Sequence, residues 1–347
     1  MPKETAMVKR LFAYFESISL VKRELIIRVL HYLINFPAIS PIYHRVYYAV
    51  IRNKASHGLA EMDIEPYNVC NLRCVMCPYP RMTREKIQMS MDLFKKIVDD
   101  AARNNIRGIC LNNCNAPLLD PLLFERIEYA KDKGLRVGFF SNGSLLTKDK
   151  RDVLLNSGLD WINFSIDGAT KETYERIRVG ASFEKTRDNV IGLIEERNER
   201  GLKKPSITVW LVAQRGNYHE IKQFKSFWKG FADNIRIESV DERSTSGLLP
   251  EALRSSTKPR RLYPCRLLIQ KIVVMSNGKV ALCCIDYDGS TVLGDLNKQT
   301  INEIWDSDRF KRIRELHLCG RGDGIELCRD TNCRMIYRQG AHSWWRR

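Results

Sequence analysis

A chain of 347 residues with 44% hydrophobic content is long enough for one large domain and a smaller one, and needs no disulfide staples to fold. Lys and Arg number 57 against 41 Asp and Glu, a net charge of +16, which favours anionic partners such as nucleic acid, a membrane surface, or a phosphorylated or carboxylated substrate. No RNA-recognition signature or zinc-finger spacing accompanies that charge, so nucleic acid is not the expected partner. Eleven cysteines without a cleavable leader point to a reducing cytoplasm and to thiolates used for metal.

Residues 1–58 place apolar residues at helical spacing with basic residues between them, which predicts a helical N-terminal extension. Its longest uncharged run includes Pro37 and falls short of the roughly 20 apolar residues that span a bilayer. Two readings stay open: packing on the rest of the chain or dimerisation, and peripheral contact with an anionic membrane.

Over residues 59–242, short strand-like runs alternate with amphipathic helical ones: "MDIE", helix 90–104, "GICL", helix 121–133, "RVGFFS", helix 147–157, "WINFSI", helix 183–200, "ITVWLV", helix 218–231 and "IRIES". Such alternation predicts an α/β fold with a parallel sheet. Six strands fall short of a closed eight-stranded barrel, so the expectation is a partial (β/α)6 TIM-like barrel whose site lies at the C-terminal strand ends. The distinctive loops agree. The cysteine-rich stretch follows the first strand, "NNCNAPLLDP" the second, "SNGS" the third and "IDGAT" the fourth.

A polar linker at 243–264 predicts a domain boundary, followed by a small α+β domain at 265–347. There "SNG" reads as a hairpin turn between two apolar strands, and a helix is expected at 301–316.

The stretch "EPYNVCNLRCVMCPYPRM" puts Cys70, Cys74 and Cys77 within eight residues. Zinc sites close with four protein ligands, usually from CxxC pairs, so a CxxxCxxC triplet leaves one metal position without a protein partner. Iron clusters want soft thiolates, and short spacers let one loop wrap a cube face.

The triplet after a first strand on a six-stranded partial barrel resembles the radical S-adenosylmethionine (SAM) enzymes, and the C-terminal cysteine section is similar to their SPASM/Twitch extensions. The resemblance covers residues 61–335. It implies that Cys70, Cys74 and Cys77 hold three irons of a 4Fe-4S cluster whose open iron is chelated by SAM. One electron then cleaves SAM, and the resulting radical takes a hydrogen atom from an unactivated carbon. The cofactors carry that chemistry, while the protein aims it and excludes water.

Further positions carry over by resemblance. Ser165 and Asp167 match ribose-binding positions, and Arg178 matches a basic residue that pairs with the SAM carboxylate through its bidentate fork. Met76 takes the place of the large residue beside the adenine. Asn142 and Asn217 sit where polar groups approach the nucleoside, or else cap turns. One departure stands out, because Ala116 precedes Pro117 where the family places a glutamate for the SAM amino group. Losing one charge-assisted bond of about 1.5–3 kcal/mol weakens binding without abolishing the fold, and Asn113 or Asn115 is placed to compensate.

The resemblance implies one auxiliary 4Fe-4S cluster held by Cys265, Cys283, Cys328 and Cys333, with Cys284 as a substitute for Cys283. Cys110 reads as a packing residue within a strand. Cys114, Cys284 and Cys319 are candidate hydrogen-donor thiols. The implied activity is dehydrogenation or epimerisation of a small, anionic or neutral polyol, sugar or cyclitol, with a reductant such as flavodoxin or ferredoxin. The alternatives are peptide modification and, because of Ala116, an iron-sulfur electron-transfer protein weakened in catalysis.

Overall fold

The computed structural model describes residues 48, 51, 52, 55, 58–239 and 264–330. Most of the N-terminal extension, the linker and Cys333 lie outside them. The described residues fall into two compact units, 60–239 with 271–310, and 264–270 with 311–330 and the few residues before 60.

In the larger unit, six strands follow one another in chain order: β1 (Glu61–Ile64), β2 (Gly108–Cys110), β3 (Arg136–Ser141), β4 (Trp161–Ser165), β5 (Ser206–Ala213) and β6 (Asn234–Ser239). Each pairs in parallel with the next. Helices α1 (Met91–Arg103), α2 (Leu123–Asp132), α3 (Lys148–Asn156), α4 (Lys171–Ile177), α5 (Phe183–Glu199) and α6 (Ile221–Trp228) lie between them. This winding makes a parallel sheet whose strands all end on one rim, the open relative of a closed barrel.

The sheet core is apolar. Met62, Val137, Phe139, Ile162, Phe164, Ile207, Val209 and Leu211 are fully buried, as are Phe94 and Val98 of α1 and Val190 and Leu193 of α5. Gly138 of β3 has a steric reason, since a Cβ there would come within 2.1 Å of the Trp161 indole on β4. Helix starts are chemically marked. Ser90, Thr147, Thr170 and Ser182 each accept a backbone N–H at the head of α1, α3, α4 and α5, contributions of about 1 kcal/mol apiece.

Three further strands extend the same sheet: β7 (Lys271–Val274), β8 (Lys279–Ala281) and β9 (Val292–Asp295). β7 runs parallel to β1, and the expected turn at 276–278 folds β8 back against it, giving the order β6-β5-β4-β3-β2-β1-β7-β8-β9. Lys271 joins the two segments with a 2.8 Å bond to Asp63. Neither α4 nor β9 is among the expected elements. The expected helix 301–316 is two, α8 (Ile301–Trp305) and α9 (Asp308–Leu318). Two short helices in the smaller unit, α7 (Arg266–Gln270) and α10 (Glu326–Asp330), carry Cys265 at the head of one and Cys328 within the other. Among the described residues no helix is long and apolar enough to cross a membrane.

Candidate active site

The cysteine loop leaves β1 and is strapped down at both sides. Arg73 and Val75 donate their backbone N–H groups to Val179 and Ile177 at 2.9 and 3.0 Å, and Ala116 donates to Val69 at 2.7 Å. The Cys77 N–H closes a turn on the Cys74 carbonyl at 3.0 Å. Asn71 donates to Ser144 and accepts from Asn142, both at 3.0 Å, so the rim loop after β3 grips the cysteine loop through side chains. That is where Asn142 spends its amide: Nδ2 on Asn71 and Oδ1 on the Ser144 N–H and hydroxyl.

Leu72, Cys74, Met76 and Ile177 form one buried cluster, with Cys70 and Cys77 packed against it. Tyr79, Met82 and Cys114 form a second, again with Cys70 and Cys77 against it, and with Tyr287. Burial raises the Cys70 thiol above its ordinary range and, with Cys74 nearby, pushes Cys77 up to about 12. Crowded thiols in such surroundings do not ionise unaided, whereas a bound metal takes the place of the protons. Among the described residues no three His, Cys, Asp or Glu side chains converge closely enough for a single ion.

Around this loop the rims differ. After β4, Asp167 is fully buried, accepting the Val212 N–H at 2.7 Å and Arg178 Nε at 2.6 Å. Arg178 turns Nη1 toward Cys74 Sγ at 3.6 Å. Burial opposes the guanidinium's charge, but Asp167, Cys74 and Tyr174 together outweigh it and hold Arg178 above its ordinary range. Asn217 is committed to the backbone: Nδ2 donates to the Asp167 and Val212 carbonyls, both at 2.9 Å, and Oδ1 accepts the Gln214 N–H at 2.8 Å. Ser165 is half-buried at the end of β4.

After β2 the loop is incomplete. Asn115 Oδ1 accepts from Asn112 Nδ2 at 2.7 Å and from the Asn113 N–H at 3.0 Å, which fixes its amide orientation. The Nδ2 atoms of Asn113 and Asn115 are buried without hydrogen-bond partners. Ala116 is buried too, at the head of a short turn through Pro117–Leu119. The Asp120–Arg126 pair, 2.9 Å and wholly buried, anchors the loop from below. Orphaned donors fit a ligand rich in acceptors, such as the carboxylate of an amino acid.

Glu65, directly after β1, has no counterpart in the sequence reading. It is fully buried, its Oε1 accepts the Cys114 N–H at 2.8 Å, and Oε2 lies 2.8 Å from Arg84 Nη2. That second contact is a buried ion pair. Burial raises the Glu65 carboxyl, against the lowering effects of Arg84 and the Cys114 and Ser276 N–H groups. Gln214, after β5, is likewise buried with both amide atoms unpartnered. No spacing marks Glu65 in the sequence: it is a lone acid at a strand end, and only its burial gives it meaning.

Of the remaining cysteines, Cys110 is buried in β2, and Cys283 and Cys284 are half-buried after β8 in the larger unit. In the smaller unit Cys319 is exposed, while Cys265 and Cys328 are buried. The backbone N–H of Cys265 donates to His317 Nδ1 at 3.3 Å, and Cys328 Sγ lies 3.6 Å from His317 Nε2. Two buried cysteines thus meet one imidazole, Cys265 through its backbone and Cys328 through its sulfur, and soft thiolates suit an iron-sulfur group. Burial pulls His317 down to about 4.

The model of the radical SAM superfamily matches residues 64–223, and that of an iron-sulfur cluster-binding domain, SPASM, matches residues 265–334. The chain belongs to the radical SAM superfamily. This radical SAM protein is 31% identical over 186 residues to the tungsten-containing aldehyde ferredoxin oxidoreductase cofactor-modifying protein of Pyrococcus furiosus, 52% of this chain and 49% of the relative. It is 25% identical over 168 residues to the mycofactocin maturase of Mycolicibacterium smegmatis, 48% of this chain and 41% of that protein. The chain thus spans half or less of these curated relatives. The crystal structure of BtrN with AdoMet and 2-DOIA superposes with a TM-score of 0.53 at 18% identity, over 78% of this chain and 92% of that one, a likeness of fold. The cofactors are a SAM-bound 4Fe-4S cluster and, from the SPASM domain, an auxiliary iron-sulfur cluster.

Proposed function

We propose that this radical SAM enzyme dehydrogenates a small hydroxylated substrate, a polyol, sugar or cyclitol, anionic where the net charge of the chain attracts it. The observation that carries this reading is Glu65, a fully buried carboxylate paired with Arg84 and hydrogen-bonded to the Cys114 N–H of the loop after β2. A substrate hydroxyl is a donor of the right kind, and Arg84 at 2.8 Å keeps the acid in place.

Cys70, Cys74 and Cys77 would hold the first cluster, with Met76, Asn113, Asn115, Asn142, Ser165, Asp167, Arg178 and Asn217 around SAM; Cys265, Cys283, Cys328 and Cys333 would hold the second. When bound, these groups supply hydrogen-atom abstraction and an acceptor for one further electron. What is left for the protein is the hydroxyl proton of an alcohol on its way to a ketone. Glu65, raised by burial, is suited to receive it. Cys114 packs between Tyr79 and Met82, which supports a wall of the site over a hydrogen donor. Cys284 and Cys319 serve neither step in this reading.

A second reading, modification of a peptide, is favoured by the similarity to the mycofactocin maturase. The test is product analysis with flavodoxin or ferredoxin as reductant, in deuterated water. A ketone formed with 5'-deoxyadenosine supports dehydrogenation. Deuterium at an inverted carbon, with no change in oxidation state, overturns it in favour of epimerisation, and turnover of peptides alone favours the second reading. An intact cluster that binds no SAM would instead mean an electron-transfer protein, the outcome Ala116 points to.

A further inference from the structure

The smaller unit contains a histidine that the cysteine pattern does not require. His317, near the end of α9, is fully buried, and three features fix it. The Cys265 backbone N–H donates to Nδ1 at 3.3 Å. Cys328 Sγ sits 3.6 Å from Nε2. Gly322 closes over the ring, where a Cβ would lie 2.7 Å from Cε1 and 2.8 Å from Nδ1. No larger residue fits there without moving the imidazole.

The tautomer follows from the first contact. Because Nδ1 accepts a hydrogen bond, its lone pair is occupied and the ring proton resides on Nε2. Nε2–H therefore points at a sulfur with only its lone pairs to offer. A 3.6 Å N–H···S separation is a normal hydrogen bond to sulfur, longer than one to oxygen because the sulfur is larger. The arrangement is directional as well: the backbone of one cysteine orients the donor that serves the sulfur of the other.

We propose that His317 is a positioning residue for the auxiliary cluster, donating Nε2–H to the Cys328 thiolate and thereby favouring the reduced state of that cluster. The inference rests on the assignment of Cys265 and Cys328 as auxiliary ligands. Reduction adds negative charge that spreads onto the ligating sulfurs, and a fixed donor stabilises it, so hydrogen bonds to the sulfurs set the potential of a cluster. A cluster that must accept an electron from a substrate benefits from that bias.

The experiment uses the full chain with Cys70, Cys74 and Cys77 replaced by Ala, so that only the auxiliary cluster is reconstituted, and follows its reduction by electron paramagnetic resonance in a redox titration. Against that background His317→Leu should keep its iron and lose at least tenfold in the equilibrium constant for reduction, which is about 59 mV for one electron. His317→Gln, which retains an amide N–H at the same reach, should recover at least half of that loss. Iron–sulfur stretching bands in the resonance Raman spectrum should shift on exchange into deuterated water with His317 and not with Leu. An unchanged potential in His317→Leu overturns the hydrogen bond. Should His317→Leu hold no iron, His317→Gln decides: a potential near the parent supports the inference, and a tenfold loss overturns it. Cys328→Ala separates this from the underlying assignment, since retention of the full auxiliary iron there removes Cys328 as a ligand and the inference with it.

Discussion

The rims after β4 and after β2 flank the same cysteine loop, yet one satisfies itself and the other does not. Asp167 uses both carboxylate oxygens and its carbonyl within the protein, on Val212, Arg178 and Asn217. Asn113 and Asn115 each bury an amide nitrogen with no hydrogen-bond partner. Buried donors left unpaired cost about 1–3 kcal/mol each, a cost that a folded protein retains where a ligand meets it. The closed rim is therefore the scaffold that aims Arg178 at Cys74, and the open rim is the side from which ligand contacts are missing. Gln214, beyond the closed rim on the loop after β5, shares the orphaned character of the Asn pair.

The largest effect should come from removing what both rims surround. Reconstituted protein is expected to hold about eight irons, four per cube, and Cys70, Cys74 and Cys77 replaced together by Ala should leave only the auxiliary share, with SAM cleavage abolished. Iron analysis and 5'-deoxyadenosine assays check this, and iron content unchanged in the triple variant would contradict the ligand assignment.

Next in size is the closed rim. Asp167→Ala strands Arg178, whose side chain is only 12% exposed, and breaking a buried pair by removing one partner costs about 3–5 kcal/mol. Urea denaturation without SAM should show that loss. A change below about 1 kcal/mol would mean that the Asp167–Arg178 pair is not the scaffold, and the contrast between the rims would collapse.

How much of this was legible beforehand divides along the same line. The six parallel strands and the cysteine loop could be read from alternation and spacing, because the signals are local: strands of three to eight residues alternating with helices, and three thiols in one stretch. The addition of β7 beside β1 could not, since a partner more than 200 residues away in sequence leaves no periodic trace. At the site, residue types suggested Asp167, Arg178 and Asn217, but not that these bind mainly one another. Glu65 and His317 were invisible for a different reason. An isolated acid or histidine has no spacing to betray it, and only burial among specific partners gives it meaning.

Ala116→Glu tests the open rim by addition. If the loop after β2 lacks one acceptor for the SAM amino group, restoring a carboxylate should tighten SAM binding by about 1.5–3 kcal/mol, roughly ten- to a hundredfold. Equilibrium binding to the reconstituted cluster is the measurement. Equal affinities would show that another group, with Glu65 on the Cys114 N–H a candidate, already serves the amine.

The smallest effect is also the most discriminating, because its sign changes with the ligand. Asn113→Ala removes a buried donor that bonds to nothing in the protein, while the Asn113 backbone N–H keeps its bond to Asn115. Without SAM the variant should therefore be as stable as the parent or more stable, by up to about 1 kcal/mol, since an unpaired buried amide no longer has to be desolvated. With SAM the order should reverse, because a donor that meets an acceptor on the ligand contributes about 0.5–1.5 kcal/mol, and affinity should fall by a factor of about two to ten. Thermal melts with and without saturating SAM give both signs in one experiment. A variant destabilised equally in both states would mean that Asn113 supports the loop as Asp167 supports its own, and the two rims would then differ in degree rather than in kind.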